Sequence, residues 1–473
     1  MATQFSSNTD FELVSVIISP ADGSKGYQIK PLVQIFTYVE SVESPCVAAS
    51  LVIVDSAGFY NSLPIQGGEI VKIKVKTSIE ENGVEYNFRV WKVANRYVQN
   101  RDQAYTLGLI SEEALNDEFA RIEKPLSGKP NSIISQMLSE GLGTSKPYYS
   151  EDCLFEVKLI AARRRVFDIA TMLAKKSVPD TNPKTTTSSP TPQIPTKDQE
   201  QKKSGSAGYL FWENRRGFNF FSVDTLCSDK STKAYDGKPW GPYVEKVVNQ
   251  SDGADNRFTI SQITYASEID VLGAMRMGKY STKMCFFNHS TGQYDEFIYN
   301  MSDAFEDMQH LGSQEKPTLI KLGKNKTISD YPTGLMSILL DHETWYNKTG
   351  PASHEPRDGA SSPSPYTDRH MEYAAQSVVR YETLQNQLAT IVIPGNSKIC
   401  AGDKIDIRIT NKVPGETGTK DPYDPENSGV YLILEVTHEY NTLESTNGMF
   451  VTTLRVGRDT RGIKGRVSKH GTK

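Results

Sequence analysis

The feature that most constrains this chain is that it repeats itself. Gly68-Glu69-Ile70-Val71-Lys72-Ile73-Lys74-Val75 is matched by Gly402-Asp403-Lys404-Ile405-Asp406-Ile407-Arg408-Ile409, both reading G-[DE]-x-[VI]-x-I-[KR]-[VI]. An apolar residue and a proline precede each run, Leu63-Pro64 and Ile393-Pro394. Downstream, Phe88-x-Val90-x-x-Val93-x-x-x-Tyr97 is answered by Tyr431-x-Ile433-x-x-Val436-x-x-x-Tyr440, and Thr106-Leu107-x-Leu109 by Thr453-Leu454-x-Val456. Any two β domains share glycine-acid turns and alternation, so one match carries little. Matches in the same order, at related spacing, point to duplication of a structural unit.

Each piece has a physical reading. A glycine followed by an acid permits a tight turn before a strand. Alternate residues of that strand, Val71, Ile73 and Val75 or Ile405, Ile407 and Ile409, share one face, and that face has to be a core. The longer pattern keeps Phe88 and Val90 on one side and switches parity at Val93, as a bulge or sharp bend does. Two copies of a small β-barrel or sandwich are expected, over residues 11–110 and over residues 256–310 with 376–458. Three such chains in a ring would present six like barrels, so a threefold object would gain approximate sixfold symmetry on one face. Barrels whose edge strands are satisfied only by neighbours would close into a tube. The structural candidates are Pro64, Gly68, Glu69, Tyr97, Pro394, Gly402, Asp403 and Tyr440.

A chain of 473 residues exceeds what one core organises, so several domains are expected. The class is mainly β, a β-rich α+β chain: short alternating runs dominate, as in Leu32 to Tyr38, Ala49 to Val54 and Tyr431 to Val436. Helical spacing appears at Ile134, Met137 and Leu138 after Asn131, at Val166, Ile169 and Leu173, and at Leu272 and Met275 with Ile269 after Ser267. A mixed α/β middle domain is expected over residues 111–255, with a disordered Pro/Thr-rich loop at 178–208. Residues 311–375 read as an insertion packing with that domain, with a second loop at 350–365, and 459–473 as a basic flexible tail.

Chemistry is mostly missing from the sequence. A formal net charge of −4 is the wrong balance for wrapping nucleic acid, though it is compatible with a channel through which DNA passes without sequence-specific binding. Gly128-Lys129 is followed by Pro130, so there is no phosphate loop, and Gly141-Leu142-Gly143 reads as a helix C-cap. The seven histidines lack paired ligand spacing; Asp341-His342-Glu343 reads as a solvated cluster and His438 as a satisfied barrel side chain. Five scattered cysteines form no Cys-x-x-Cys pair, and there is no G-x-S-x-G elbow. No catalytic, metal or cofactor site is expected. A carboxylate pair for peptidoglycan hydrolysis, distributed along the chain, is the enzyme alternative. Arg163-Arg164-Arg165 reads as a solvated face. Met1 to Asp10 has no apolar core and no run is long enough to span a bilayer, so neither a signal peptide nor a membrane span is expected.

The run Asp270-Val271-Leu272-Gly273-Ala274-Met275-Arg276-Met277-Gly278-Lys279-Tyr280-Ser281-Thr282-Lys283-Met284 resembles the corresponding part of baseplate hub subunits of contractile-tailed, T-even-like phages. So do Ile393-Pro394-Gly395-Asn396-Ser397 before Gly402-Asp403, Gly429 to Ile433, and Val436-Thr437-His438. Tyr209 to Glu213 with Arg216 to Phe220 looks like the aromatic strand pair of that family's middle domain. The resemblance implies two tube-like antiparallel β-barrel domains, a further mixed domain in the connections, and a homotrimer at the centre of the virion's tail baseplate, assembled in the host cytoplasm. Its implied partners are the tail tube or tube-initiator protein, the trimeric tail spike protein, which carries any lysozyme activity, and baseplate wedge proteins. The base of a type VI-like injection spike is the alternative in the same class.

Overall fold

The computed structural model describes residues 9–63, 65–99, 102–154, 156–180, 206–246, 256–265, 270–288, 293–305, 308–313, 320–321, 326–340, 370–411, 423–443 and 448–462. The chain is mainly β, as the alternating runs predict. Its first barrel is built from β1 (Phe11–Ser19), β2 (Tyr27–Gln28), β3 (Val33–Ser41), β4 (Ala48–Asp55), β5 (Ile70–Thr77), β6 (Val84–Gln99) and β7 (Asp102–Ile110), in the order β2-β1-β5-β6-β7-β4-β3. Period-two alternation sets which residues face inward. Val71, Ile73 and Val75 of β5, with Leu107 and Leu109 of β7, are almost wholly buried. The long β6 serves two neighbours in turn: Val84 to Arg89 pair with β5, and Arg89 to Gln99 pair with β7.

Between the barrels lies a mixed segment. A two-stranded ribbon of β8 (Pro125–Gly128) and β10 (Val157–Ile160) accompanies a sheet of β9 (Tyr148–Ser150), β11 (Tyr209–Asn214) and β12 (Gly217–Ser222). Helices Pro130–Gln136 and Val166–Lys176 pack Ile134, Ile169 and Leu173 into its core with Phe211, Phe218 and Phe220. Asn131 is no cap: Lys129 precedes the helix, Pro130 opens it, and the Asn131 amide donates to Asp152 instead. The ends of the stretch expected to be a disordered loop are packed, because Val178 and Ala207 are apolar and meet Leu154 and Ala374. Residues 181–205, the loop at 350–365, Asp341-His342-Glu343 and Ser267 lie outside the described residues.

The second barrel is assembled from β13 (Trp240–Glu245), β14 (Thr259–Ile260), β15 (Gln262–Tyr265), β19 (Gln387–Pro394), β20 (Lys404–Arg408), β21 (Gly429–Asn441) and β22 (Met449–Arg458). Two boundaries differ from the expected ones. Trp240–Glu245, expected in the middle segment, lies parallel to β20, with Tyr243 buried beside Ile405 and Ile407. The strands β16 (Ser281–Asn288) and β17 (Gln293–Asn300), expected in this barrel, form a separate sheet with β18 (Gly334–Leu340). Met284 and Phe286 give that sheet an apolar face, which packs on Ala375 of the helix His370–Leu384.

That helix, which the sequence spacing did not flag, carries a buried clamp on the end of β22. Arg380 and Asp459 are fully buried and joined at 2.9 Å. The Asp459 carboxylate also accepts from the Leu311 backbone N–H at 3.0 Å and shares a 2.7 Å hydrogen bond with His310. Asp459 and Thr460 therefore belong to the folded body, and residues 463–473 of the expected tail lie outside the described residues. Burial alone would raise the Asp459 carboxyl, yet His310 and Arg380 hold it well below the usual carboxylate range. A depressed carboxyl contributes stability above its unfolded value and loses it as pH falls towards the folded one. Asp459→Asn is expected to lower the unfolding free energy by about 3–5 kcal/mol in urea titrations at neutral pH. The difference from wild type should shrink as pH is lowered below about 4.

Candidate functional site

The duplicated turns show why the repeat has the residues it has. Gly68 and Gly402 sit at φ 87° and 93°, a region that side chains oppose. The Gly68 N–H donates to the Val90 carbonyl at 2.7 Å and the Val90 N–H to the Glu69 carbonyl at 2.9 Å. In the second copy, Gly402 donates to Ile433 at 2.9 Å and Ile433 to Asp403 at 2.8 Å. These are the residues that the sequence alignment pairs. The acid after each glycine folds its carboxylate back onto the turn. Glu69 accepts from the Gln66 N–H at 2.7 Å, and Asp403 from the Cys400 N–H at 3.0 Å.

The parity switch is also duplicated. The pairing of β6 with β7 slips between Val90 and Lys92, and that of β21 with β22 between Ile433 and Glu435. Beyond the slip, Val93 faces Leu107 and Val436 faces Leu454. Past Ile433 the outer side of β21 leaves β20 and pairs with β3, from Glu435 opposite Ser41 to Asn441 opposite Ile35. One barrel of the chain is thereby joined to the other, edge to edge. The same side of β6 past Val90 has no strand partner among the described residues, and there Trp91, Tyr97 and Val98 are 54%, 61% and 55% exposed. Likewise β15, which holds on β19 the place that β3 holds on β4, has an open outer side among the described residues.

Of the remaining sequence candidates, Pro394 ends β19 opposite Val451, and Pro64 lies outside the described residues. Tyr97 and Tyr440, aligned by sequence, part company in space: Tyr440 is buried and stacks on Phe450 at 4.2 Å, whereas Tyr97 is exposed. His438 is buried beside the Thr452 hydroxyl at 3.0 Å, and burial, with the Arg215 charge nearby, lowers it to about 3, so it is a neutral core side chain. The Arg163 and Arg165 side chains are taken up by surface pairs with Glu123, Glu118 and Asp168.

Sequence reasoning missed the residues that lock the units together. Glu40, 1% exposed at the end of β3, accepts from the Tyr38 hydroxyl at 2.6 Å, the Arg215 N–H at 2.7 Å and the Ala401 N–H at 2.9 Å. Burial pushes its carboxyl above the usual range while these donors pull it down. Arg215 reaches Glu80 at 2.9 Å, and Arg216 forks onto both Asp403 oxygens at 2.7 and 2.8 Å. The Trp240 indole N–H donates to Asp403 at 2.9 Å. An acid within an apolar-alternating strand, and an Arg-Arg pair at the tip of an aromatic hairpin, were the available signals. Among the described residues no group of His, Cys, Asp and Glu side chains could hold a metal ion.

No protein-family model matches the chain, and no curated protein matches it. Among solved structures, a tail protein of Neisseria meningitidis MC58 superposes with a TM-score of 0.48 at 9% identity, covering 95% of this chain and 97% of that one. The 43 kDa tail protein of prophage MuSo2 from Shewanella oneidensis also gives 0.48 at 9% identity, over 94% and 98%. The prophage tail protein gp18 of Listeria monocytogenes EGD-e gives 0.42 at 8% identity, over 93% and 94%. All three are described as tail proteins, two of them as prophage tail proteins.

Glu40→Ala leaves the buried Ala401 N–H and the part-buried Arg215 N–H without this acceptor and is expected to cost about 3 kcal/mol in urea titrations. At Gly402 an added Cβ would lie 2.6 Å from the Trp212 ring, whereas at Gly58 it would meet nothing within 4 Å. Gly402→Ala should therefore lower the melting temperature more than Gly58→Ala, although both glycines have positive φ.

Proposed function

We propose that this chain is the structural hub subunit of a phage tail baseplate, three copies of which close into a ring around the DNA channel. The observation that carries the reading is the use of one strand junction within the chain. There β21 of the second repeat pairs with β3 of the first. The counterpart of β21 is β6 and the counterpart of β3 is β15, and each has an open edge among the described residues. A chain with one such junction made and its two halves left over is a head-to-tail unit, and head-to-tail contacts generate closed rings when the rotation allows. Exposed sheet edges are a liability for an isolated chain, which is a further reason to expect them covered by neighbouring copies.

The number three follows from the resemblance to hub subunits. On this reading the six barrels of the ring face the hexameric tail tube or its initiator protein, the threefold organisation receives the trimeric tail spike protein, and wedge proteins contact the rim. The subunit is non-enzymatic in this role and passes DNA without reading its sequence. Light scattering at several concentrations, alone and with the trimeric spike protein, tests the reading. The expected mass is about 158 kDa, three times the 52.7 kDa chain, or its appearance once spike is added. A strict monomer under both conditions removes the ring.

A further inference from the structure

Along the joining strand the first repeat carries one residue more than the second, and the difference bears on how copies meet. Asn95 in β6 has φ 52°, in the left-handed region that asparagine tolerates better than most residues. There β6 carries an extra residue: Ala94 faces Thr106 and Tyr97 faces Ala104, three steps against two. In the second repeat Thr437 faces Thr453 and Glu439 faces Val451, two steps against two. Counted along the strand each pairs with, Tyr97 stands in the place of Glu439 and Val98 in that of Tyr440. The sequence alignment, which matches Tyr97 with Tyr440, is displaced by one residue beyond the bulge.

The receiving edge can be aligned in the same way. Phe36 faces Leu51, which faces Leu107; Ile263 faces Ile391, which faces Leu454. Ile263 and Thr264 therefore occupy the places of Phe36 and Thr37. Within the chain, Tyr440 pairs with Phe36 and Glu439 with Thr37.

Resting on the ring reading above, we infer that the Asn95 bulge sets the register between copies, pairing Val98 with Ile263 and Tyr97 with Thr264 of the next chain. A one-residue slip would exchange the faces of the strand. The bulge also makes the two kinds of junction chemically different. At the internal one, Tyr440 packs on Phe11 at 5.3 Å, Phe36 at 5.4 Å and Phe450 at 4.2 Å. At the outer one, Val98 and its partner Gln103 replace Tyr440 and Phe450. The tip of β6 lacks the aromatic volume that fills the space against β3, so it is a poor substitute for the tip of β21. Strand exchange between copies, the usual hazard of like edges, is thereby disfavoured.

Paired cysteines test the register. Thr37→Cys with Glu439→Cys reports the internal junction and should oxidise within one chain, calibrating the geometry. Tyr97→Cys with Thr264→Cys should oxidise between chains, shifting the band on a non-reducing gel to linked dimers and trimers. Arg96→Cys with Thr264→Cys, the register of the unbulged alignment, should give no shift beyond the single variants, which control for the native Cys46 and Cys285. Linkage through position 96 rather than 97, in a protein that is trimeric by light scattering, overturns the register and leaves the ring standing. A trimer that links through neither pair while the internal control oxidises overturns the register as well. A protein that is monomeric throughout overturns the ring, and this inference with it.

Discussion

A single buried carboxylate holds the molecule's parts in register. Glu40 closes the first barrel's β3, receives the N–H of Ala401 from the second repeat's turn, and receives the N–H of Arg215 from the hairpin of the middle segment. The Ala401 N–H is buried, and a buried N–H without an acceptor costs more than the bond itself contributes. Glu40 thus bonds to all three units, and it does so from within the edge pairing of β3 with β21, where it stands opposite Val436. Arg216 on Asp403 reinforces the same point from the opposite side of the turn.

The duplication has been kept where backbone geometry demands it and relaxed where neighbours differ. Both copies retain the positive-φ glycine, the acid that folds back on its turn, and the slip one turn later. They diverge at the next layer. Gly402 lies under Trp212, whereas Gly68 faces only Ala21. The strand beside β5 is the antiparallel β1, but the strand beside β20 is the parallel β13. One copy has been built over by the middle segment, and the other has kept its turn near solvent.

Much of this was legible in the chain itself. Gly68 with Glu69, Gly402 with Asp403, and the switch at Val93 were readable because turn chemistry and period-two alternation are local properties. The strand assignments at Ile70–Thr77 and Lys404–Arg408 follow for the same reason. What could not be read depends on contacts between distant segments. Glu40 looks like any surface acid until Ala401 and Arg215 are brought to it. Trp240–Glu245 is a short apolar run whose barrel is chosen by burial of Tyr243 against Ile405 and Ile407, not by its place in sequence. The equivalence of Tyr97 and Tyr440 fails because Asn95 adds a residue that no apolar pattern announces.

The pairing of β3 with β21 joins residues about 400 positions apart, and Tyr440 and Phe450 are part of the first barrel's own core. At a synthesis rate of about 5–20 residues per second, β3 emerges from the ribosome roughly 20–80 s before its partner exists. During that interval Phe36 and Tyr38 have Tyr86 of their own barrel beside them but lack Tyr440 and His438, which stack on them in the finished chain. The first barrel's core is therefore completed by residues from the far end of the chain, and its last two aromatic side chains arrive only when synthesis is nearly finished.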